Sequence, residues 1–267
     1  MSKKIRVLVN GARGRMGKEV VKAILNDPTL ELVGAVDPAG TEEDAAVVAG
    51  LPACGVLLTG DLSDTIEASN PEVMVDFTIP QSVMGNIRIA LQHKVSPVVG
   101  TTGLSEQDLQ EIREWTASYE TSCLIAPNFA IGALLMMRFA REASRFFPHV
   151  EIMEYHHDQK LDAPSGTAIK TAEAIQEERQ KINQGHPDEE EIIAGSRGGE
   201  FEGMRIHSIR LPGLVAHQEV LFGGLGQTLT IRHDSITRES FMPGVIEAVQ
   251  RIRSAKGLVY GLDKLIF

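Results

Sequence analysis

The sequence contains little cysteine, no dense cluster of basic residues and no long apolar run. Its two cysteines, Cys54 and Cys123, are far apart and lack metal-ligand spacing, which argues against a disulfide framework or a zinc site. We therefore expect both to be buried as small hydrophobic residues. A net charge of −10 without a Lys/Arg cluster argues against nucleic acid or an anionic membrane surface as a partner.

Apolar stretches are too short to predict a membrane span. After Lys4 the apolar run covers only residues 5–9, far fewer than the ~20 residues that a spanning helix needs. The apolar content of 43% supports an ordinary buried core for 267 residues. We expect a soluble, cytoplasmic protein.

Strand-like and helix-like patterns alternate through the first half of the chain. Residues 5–9 are rich in β-branched side chains, residues 15–26 have helical spacing, and residues 30–36 are a second apolar run. Further strand and helix candidates follow, and Ser105 with Asp108 resembles a capping box. This alternation predicts an α/β, Rossmann-like domain with a doubly wound parallel sheet.

The pattern changes beyond residue 131. An apolar helix at about 133–146 precedes strand candidates near 149–155, 205–211, 217–223 and 228–233, which predict a smaller α+β sheet domain. A helix begins near Ser165, and we expect the polar stretch 183–203 to be a mobile loop. Residues 241–252 have helical spacing, and we expect them to return to the first domain.

A glycine-rich turn separates the first strand from the first helix. It reads Gly11-Ala12-Arg13-Gly14-Arg15-Met16-Gly17, with G-x-x-G-x-x-G spacing instead of the usual G-x-G-x-x-G. Glycines in this position bring backbone amides against a pyrophosphate, and Asp37, 20 residues after Gly17, suits ribose hydroxyls. A purely structural glycine turn is the alternative. Asp37 favours NADH, but Arg13 and Arg15 could reach the 2′-phosphate of NADPH, so both cofactors stay open.

Three further breaks fall at predicted strand ends, where open α/β sheets bind ligands. They are Asp76-Phe77-Thr78, Gly100-Thr101-Thr102-Gly103 and Ala126-Pro127-Asn128-Phe129. Each alone is more typical of a turn, but their shared location favours a crevice around ribose and nicotinamide. The third also leads into the second domain and is a candidate hinge.

A polar block follows the strand candidate at 149–155. It reads Glu154-Tyr155-His156-His157-Asp158-Gln159-Lys160-Leu161-Asp162-Ala163-Pro164-Ser165-Gly166-Thr167. Adjacent histidines without a second ligand cluster give weak support for a metal, so we expect none. Lys160 offers a cation for a carboxylate or a proton donor, although a lone lysine is usually a solvated surface group. A helix beginning here, capped by Asp162 or Ser165, adds amide donors for an anion.

These motifs together resemble the bacterial 4-hydroxy-tetrahydrodipicolinate reductase family over essentially the whole chain. The resemblance implies NAD(P)H-dependent reduction of a small cyclic imine dicarboxylate, 4-hydroxy-tetrahydrodipicolinate, to tetrahydrodipicolinate, with loss of water, in diaminopimelate and lysine biosynthesis. It also implies a homotetramer built through the sheets of the second domain. We accordingly expect a dinucleotide-binding domain (residues 1–129 plus 241–267) and a substrate-binding and oligomerisation domain (residues 130–240).

The resemblance also assigns roles to individual residues. Proton transfer falls to His156 and Lys160, and substrate binding to His157, Lys160, Ser165, Gly166 and Thr167. NADH or NADPH binding falls on Gly11, Ala12, Arg13, Gly14, Arg15, Met16, Asp37, Gly100, Thr101, Thr102, Ala126, Pro127, Asn128 and Phe129. Pro38 departs from the pattern, since many members of the family carry an arginine there that contacts a 2′-phosphate.

Two other functions are compatible with a dinucleotide site. One is a non-catalytic NAD(H)-sensing protein, but a sensor has no need of a proton donor beside a site for a dianion, which argues against it. The other is a dehydrogenase acting on aspartate or its semialdehyde. Competition by pyridine-2,6-dicarboxylate would argue against that enzyme.

Overall fold

The structure is a computed structural model that describes residues 3–40 and 42–267, and it divides into two compact units. The first unit comprises the described residues up to Phe129 together with Phe241–Phe267, and the second comprises Ala130–Ser240. No helix of the described residues is both long and apolar enough to cross a membrane.

The first half of the chain alternates between strands and helices, as the sequence predicts. The predicted elements are present with bounds within one or two residues. In chain order the elements are β1 (Ile5–Asn10), α1 (Arg15–Asn26), β2 (Leu30–Val36), α2 (Ala45–Val48), β3 (Leu58–Thr59), α3 (Leu62–Ser69), β4 (Val73–Asp76), α4 (Pro80–Gln92), β5 (Ser96–Val99), α5 (Glu106–Tyr119) and β6 (Ser122–Ile125). The capping box is confirmed, because Ser105 Oγ accepts from Asp108 N and the Asp108 carboxylate accepts from Ser105 N.

The second unit is built on a five-stranded mixed sheet. Its elements are α6 (Ile131–Ser144), β7 (His149–His156), α7 (Gly166–Gln176), β8 (Gly199–Phe201), β9 (Met204–Arg210), β10 (Ala216–Gly224) and β11 (Gln227–Ser235), in the strand order β11-β10-β7-β9-β8. Alternate residues of β7 are buried, and Ile152 packs with Phe222 and Ala172 of α7 in one apolar core. The prediction of a loop over residues 183–203 is wrong at Gly199–Phe201, because these residues form strand β8, which pairs with β9.

The last part of the chain belongs to the first unit. After a 3₁₀ turn (Arg238–Phe241) it forms α8 (Met242–Ile252), β12 (Gly257–Tyr260) and α9 (Asp263–Ile266). Strand β12 pairs with β6 and completes a parallel seven-stranded sheet with the order β12-β6-β5-β4-β1-β2-β3. Strands β4, β5 and β6 are buried along their whole length, as expected for central strands covered by helices on both faces.

One of the two cysteines departs from expectation. Cys123 is buried in β6, where burial raises the pKa of its thiol. Cys54, predicted to be buried, is exposed. It lies in a loop whose backbone is held by polar contacts, since the amides of Cys54 and Gly55 donate to the side chain of Asp44, so apolar packing does not determine its position.

Candidate functional site

The glycine-rich turn connects β1 to α1 and is shaped by close backbone approaches. Gly11 has a φ of +79°, and a Cβ there would lie 2.6 Å from the carbonyl oxygen of Phe77. A Cβ at Gly17 would overlap the carbonyl oxygen of Gly11. The unusual spacing of these glycines therefore serves the fold of the turn itself.

The amino end of α1 is open to a ligand. Its N-cap is Gly14, which has no side chain to accept hydrogen bonds from the amides of the first turn. Gly14, Arg15 and Met16 line a cavity of about 720 Å³ at the carboxyl ends of the strands. The Gly14 amide donates to the carbonyl of Gly11, but the amides of Arg15 and Met16 and the positive end of the helix dipole favour a phosphate in this position.

Asp37 lies at the rim of the same cavity, directly after β2. Its carboxylate accepts hydrogen bonds from the backbone amides of Arg13 and Ala39, each at 3.1 Å. The guanidinium of Arg13 forms an ion pair with Glu43, whose hydrogen bond and charge raise the pKa of Arg13. The acid predicted for ribose recognition is thus fixed to the glycine-rich turn.

A buried carboxylate binds several residues of the cavity lining. Asp76, at the end of β4, accepts hydrogen bonds from Asn10 and Asn86 at 2.9 Å and from the hydroxyl of Thr101 at 3.0 Å. The amide and hydroxyl of Thr78 donate to it as well. The sequence marked Asp76 only as part of a strand-end break. The partners of this carboxylate come from β1, from α4 and from the segment after β5; β1 and β5 reach Asp76 because both pair with β4.

The structure brings most of the predicted cofactor residues together. Those that line the cavity are Gly11, Gly14, Arg15, Met16, Asp37, Gly100, Thr101 and Thr102. Ala12 is buried in the turn. The backbone amide of Arg13 donates a hydrogen bond to Asp37, which lines the cavity. The residues Ala126-Pro127-Asn128-Phe129 follow β6 and are not part of the cavity lining. The ring of Phe129 nevertheless lies 5.7 Å from the ring of Phe77, a residue that does line the cavity.

A second polar cluster forms in the other unit, between the end of β7 and the start of α7. His156 is the last residue of β7, and Ser165 is the N-cap of α7, with its hydroxyl accepting from Ala168 N at 3.2 Å. Ser165 is therefore the cap, not Asp162. A Cβ at Gly166 would meet open space, so the first turn of α7 is accessible to a ligand. Thr167, within this turn, is half-buried, and His157, which follows β7, is exposed.

Lys160 and Asp162 form an ion pair within this cluster. The ammonium of Lys160 lies 2.7 Å from the carboxylate of Asp162, and that hydrogen bond lowers the pKa of Asp162. The side chain of Lys160 is 21% exposed, against 61% for Asp162. Lys160 is thus held at the cluster, where a substrate carboxylate would compete with Asp162 for its charge.

Glu154 is the most deeply buried group of the cluster, with no exposed side-chain area. Its carboxylate contacts His156 Nδ1 at 2.5 Å and Arg210 at 2.7 and 2.9 Å. Burial by itself raises the pKa of Glu154, but hydrogen bonds from His156, Arg210 and Ser208 outweigh it and lower the pKa to about 2. Arg210, which β9 contributes from 56 residues away, carries no local signal in the sequence.

Groups of three or more His, Cys, Asp or Glu side chains with a geometry suited to a metal ion are not found among residues 3–40 and 42–267. The two clusters differ in their chemistry: the first unit offers amide donors and hydroxyls, and the second offers histidine, lysine and arginine. Such an arrangement suits an organic dinucleotide in one unit and a small anion with proton transfer in the other.

Comparison with known proteins identifies relatives over the full length of the chain. The family described as "Dihydrodipicolinate reductase, N-terminus" matches residues 5–129, and the family described as "Dihydrodipicolinate reductase, C-terminus" matches residues 132–266. The 4-hydroxy-tetrahydrodipicolinate reductase of Desulfitobacterium hafniense is 54% identical over 265 residues, covering 99% of each chain. That of Listeria innocua is 51% identical, covering 98% of this chain and all of the other.

A solved structure of similar sequence has the same fold. The dipicolinate-bound dihydrodipicolinate reductase from Paenisporosarcina is 46% identical, with a TM-score of 0.89 over 98% of this chain and all of that one. An amine dehydrogenase from Mycobacterium smegmatis, at 15% identity and a TM-score of 0.70, shares the fold only.

Proposed function

Because the chain belongs to the dihydrodipicolinate reductase family, we infer that it is a 4-hydroxy-tetrahydrodipicolinate reductase of lysine biosynthesis, an NAD(P)H-dependent oxidoreductase. The observation that carries this function is identity of 54% with such a reductase along 99% of both chains. The cavity at the glycine-rich turn and the cluster at α7 are consistent with the two ligands that the reaction requires.

The cavity of the first unit is the proposed binding site for the nicotinamide cofactor. The amides of Arg15 and Met16 would face the pyrophosphate, and the carboxylate of Asp37 would accept hydrogen bonds from the ribose hydroxyls. NADH is the proposed better cofactor, because the carboxylate of Asp37 at the cavity rim would repel the 2′-phosphate of NADPH. Pro38 provides no positive charge beside it to bind that phosphate. Arg15 also lines the cavity, and through it NADPH remains a second substrate.

The cluster of the second unit is the proposed substrate site. The reductase from Paenisporosarcina binds dipicolinate, a planar ring with two carboxylates. Here the first turn of α7, with Ser165, Gly166 and Thr167, offers amides and hydroxyls to one carboxylate, and Lys160 and His157, from the segment between β7 and α7, are the other proposed contacts. Release of Lys160 from Asp162 accompanies binding.

The reaction removes the 4-hydroxyl of the substrate as water and reduces the resulting conjugated imine. A reduced nicotinamide held in the cavity of the first unit would supply the hydride for ring C4 of the substrate. The enamine formed on the ring then takes a proton, and His156 is the proposed donor, since an imidazole exchanges protons near neutral pH. Lys160 holds the substrate carboxylate and stabilises charge during that transfer.

Assembly into a homotetramer is also proposed, through the sheet of the second unit. One face of this sheet is covered by α6 and α7. The other face presents Met153, Tyr155 and Leu221, which are half-buried, and the guanidinium of Arg232 lies 5.3 Å from the Tyr155 ring. Light scattering should give a mass four times that of the 29.0 kDa chain. We also propose a cytoplasmic location, where nicotinamide cofactors are regenerated.

The decay of NADH absorbance tests the function directly. The substrate is generated freshly from aspartate semialdehyde and pyruvate, and each cofactor is compared by kcat/KM. Turnover that pyridine-2,6-dicarboxylate inhibits competitively supports the reductase. Tight NADH binding without absorbance decay would instead support a sensor, and turnover of aspartate semialdehyde alone would support a dehydrogenase.

A further inference from the structure

Glu154 is a buried acid that is not among the proposed substrate-binding residues. It lies on the helix-covered face of β7, with Val150 and Ile152, and no part of its side chain is exposed. Removing a carboxylate from water is costly unless it is paired and hydrogen-bonded. An apolar residue could fill this position without that cost, so the presence of a charge here indicates a chemical role.

The two oxygens of Glu154 serve different neighbours. Oε2 contacts His156 Nδ1 at 2.5 Å, and Oε1 accepts from the amide of Ser165 at 3.3 Å. Arg210 spans both oxygens, and its NH2 also donates to the carbonyl of Asp162 at 2.8 Å. One carboxylate therefore links the end of β7, the N-cap of α7 and the loop between them.

The charge state of Glu154 determines which nitrogen of His156 carries hydrogen. An ionised carboxylate has only acceptors, so Nδ1 must be the donor in the contact between them. The neutral ring then has its lone pair on Nε2, and Nε2 is the nitrogen that gains and loses a proton. The imidazole is also held by the contact at a fixed orientation, with 15% of its side chain exposed.

We propose that Glu154 is a positioning residue that fixes the tautomer and orientation of His156, so that proton transfer to the substrate occurs at Nε2. The proposal rests on the proposed function in one respect, the assignment of His156 as proton donor. Glu154 does not touch substrate in this scheme. It acts through His156 and, by its bond to Ser165, keeps the proton donor and the start of α7 in register.

Glu154→Gln removes the charge while keeping the shape of the side chain. The amide of glutamine can either accept from or donate to His156 Nδ1, so the tautomer of His156 is no longer enforced. We expect kcat to fall by about 10²- to 10⁴-fold, the usual contribution of a positioned acid, with little change in KM. Glu154→Asp retains the charge with a shorter reach and should recover part of the lost kcat.

A matched control lies on the same strand. Glu151 contacts Arg197 at 2.7 Å and His207 at 2.8 Å, and so repeats the carboxylate, guanidinium and imidazole combination away from α7. Glu151→Gln, verified by light scattering to keep the wild-type assembly, should retain near-normal kcat. If kcat fell as far in Glu151→Gln as in Glu154→Gln, any such ion pair would matter only for stability. That result would overturn the proposal.

Nitrogen-15 spectroscopy of labelled histidine separates this proposal from the proposed function. Wild-type protein at alkaline pH, with His156 assigned from the His156→Gln variant, should show the Nδ1–H tautomer, and Glu154→Gln should show a mixture. An Nε2–H tautomer in the wild type would overturn the positioning role even if Glu154→Gln failed to fold. Absence of turnover in the wild type would refute the reductase function and leave the tautomer measurement to decide the role of Glu154.

Discussion

The side-chain amide of Asn10 donates to the carboxylate of Asp76 at 2.9 Å and so joins the ends of two neighbouring parallel strands. Both residues are almost fully buried, and Asn10 directly precedes the glycine-rich turn. The carboxylate accepts five hydrogen bonds in all, which lets a charged group remain buried.

Replacing Asp76 by Asn is expected to damage both stability and cofactor binding. An amide places its own donors against those of Asn10, Asn86 or Thr101, and an unsatisfied buried group costs about 1–3 kcal/mol. Urea denaturation should show that loss, and NADH titration should show weaker binding. Glu67→Gln, at an exposed position in the last turn of α3, should lower neither; equal behaviour of the two variants would disprove a special role for Asp76.

Gly17→Ala should disrupt the turn, because its Cβ would overlap the carbonyl oxygen of Gly11. We expect a lower melting temperature and loss of NADH binding measured by fluorescence. Gly85→Ala is the control, since this glycine lies within α4 and its Cβ would meet nothing within 4 Å. That change should raise stability by about 0.5–1 kcal/mol by lowering the entropy of the unfolded chain. Normal NADH binding by Gly17→Ala would place the cofactor elsewhere.

Pro38→Arg should shift cofactor preference towards NADPH. The position lines the cavity directly after Asp37, and a guanidinium there can pair with a 2′-phosphate. We expect the ratio of kcat/KM for NADPH over NADH to rise about tenfold, which corresponds to 1.4 kcal/mol. Pro52→Arg, in an exposed loop of the same unit, adds the same charge and should leave the ratio unchanged. An unchanged ratio in both variants would exclude this edge of the cavity from 2′-phosphate recognition.

The two candidate catalytic residues should respond differently to substitution. His156→Gln should lower kcat far more than it raises KM, because it removes a proton donor that acts only in the transition state. Lys160→Ala should lower kcat and also raise KM, because the ammonium both binds a carboxylate and stabilises developing charge. Lys181→Ala, an exposed lysine beyond α7, is the control for loss of charge. Near-normal kcat in His156→Gln would remove the acid assignment.

Acid should destabilise the second unit through Glu154. The pKa of this group is lowered from 4.5 to about 2, so its contribution to stability is present above pH 4.5 and is lost as the pH falls towards 2. Such a shift corresponds to roughly 3 kcal/mol. Urea denaturation between these pH values should show a steep decline for the wild type and a shallower one for Glu154→Gln. Parallel curves would show that Glu154 is not ionised in the folded state.

Local sequence signals were sufficient for much of the first unit. Helix α1 and strand β2 have the predicted bounds, because β-branched runs, helical spacing and the Asp27-Pro28 stop all act within a few residues. Strands β3 and β12 carry too weak a signal: β3 has two residues, and β12 is only half-buried at an edge of the sheet. Their positions are fixed by pairing with β2 and β6.

The candidate sites were predictable as segments but not as networks. Ser165 at the start of α7 and Asp37 after β2 could be placed from spacing alone. Arg210 and Asn10 could not, because each meets its carboxylate only through the pairing of strands distant in sequence. The same limit explains Cys54, whose exposure follows from a loop tied to Asp44.

The position of β12 in the sheet also bears on how the protein is made. This strand covers the edge of β6, yet the whole second unit is synthesised between the two. During synthesis the edge of β6 that faces away from β5 therefore stays unpaired until β12 has been made. An unpaired strand edge is a site where another nascent chain can pair, so β12 protects β6 from misassembly.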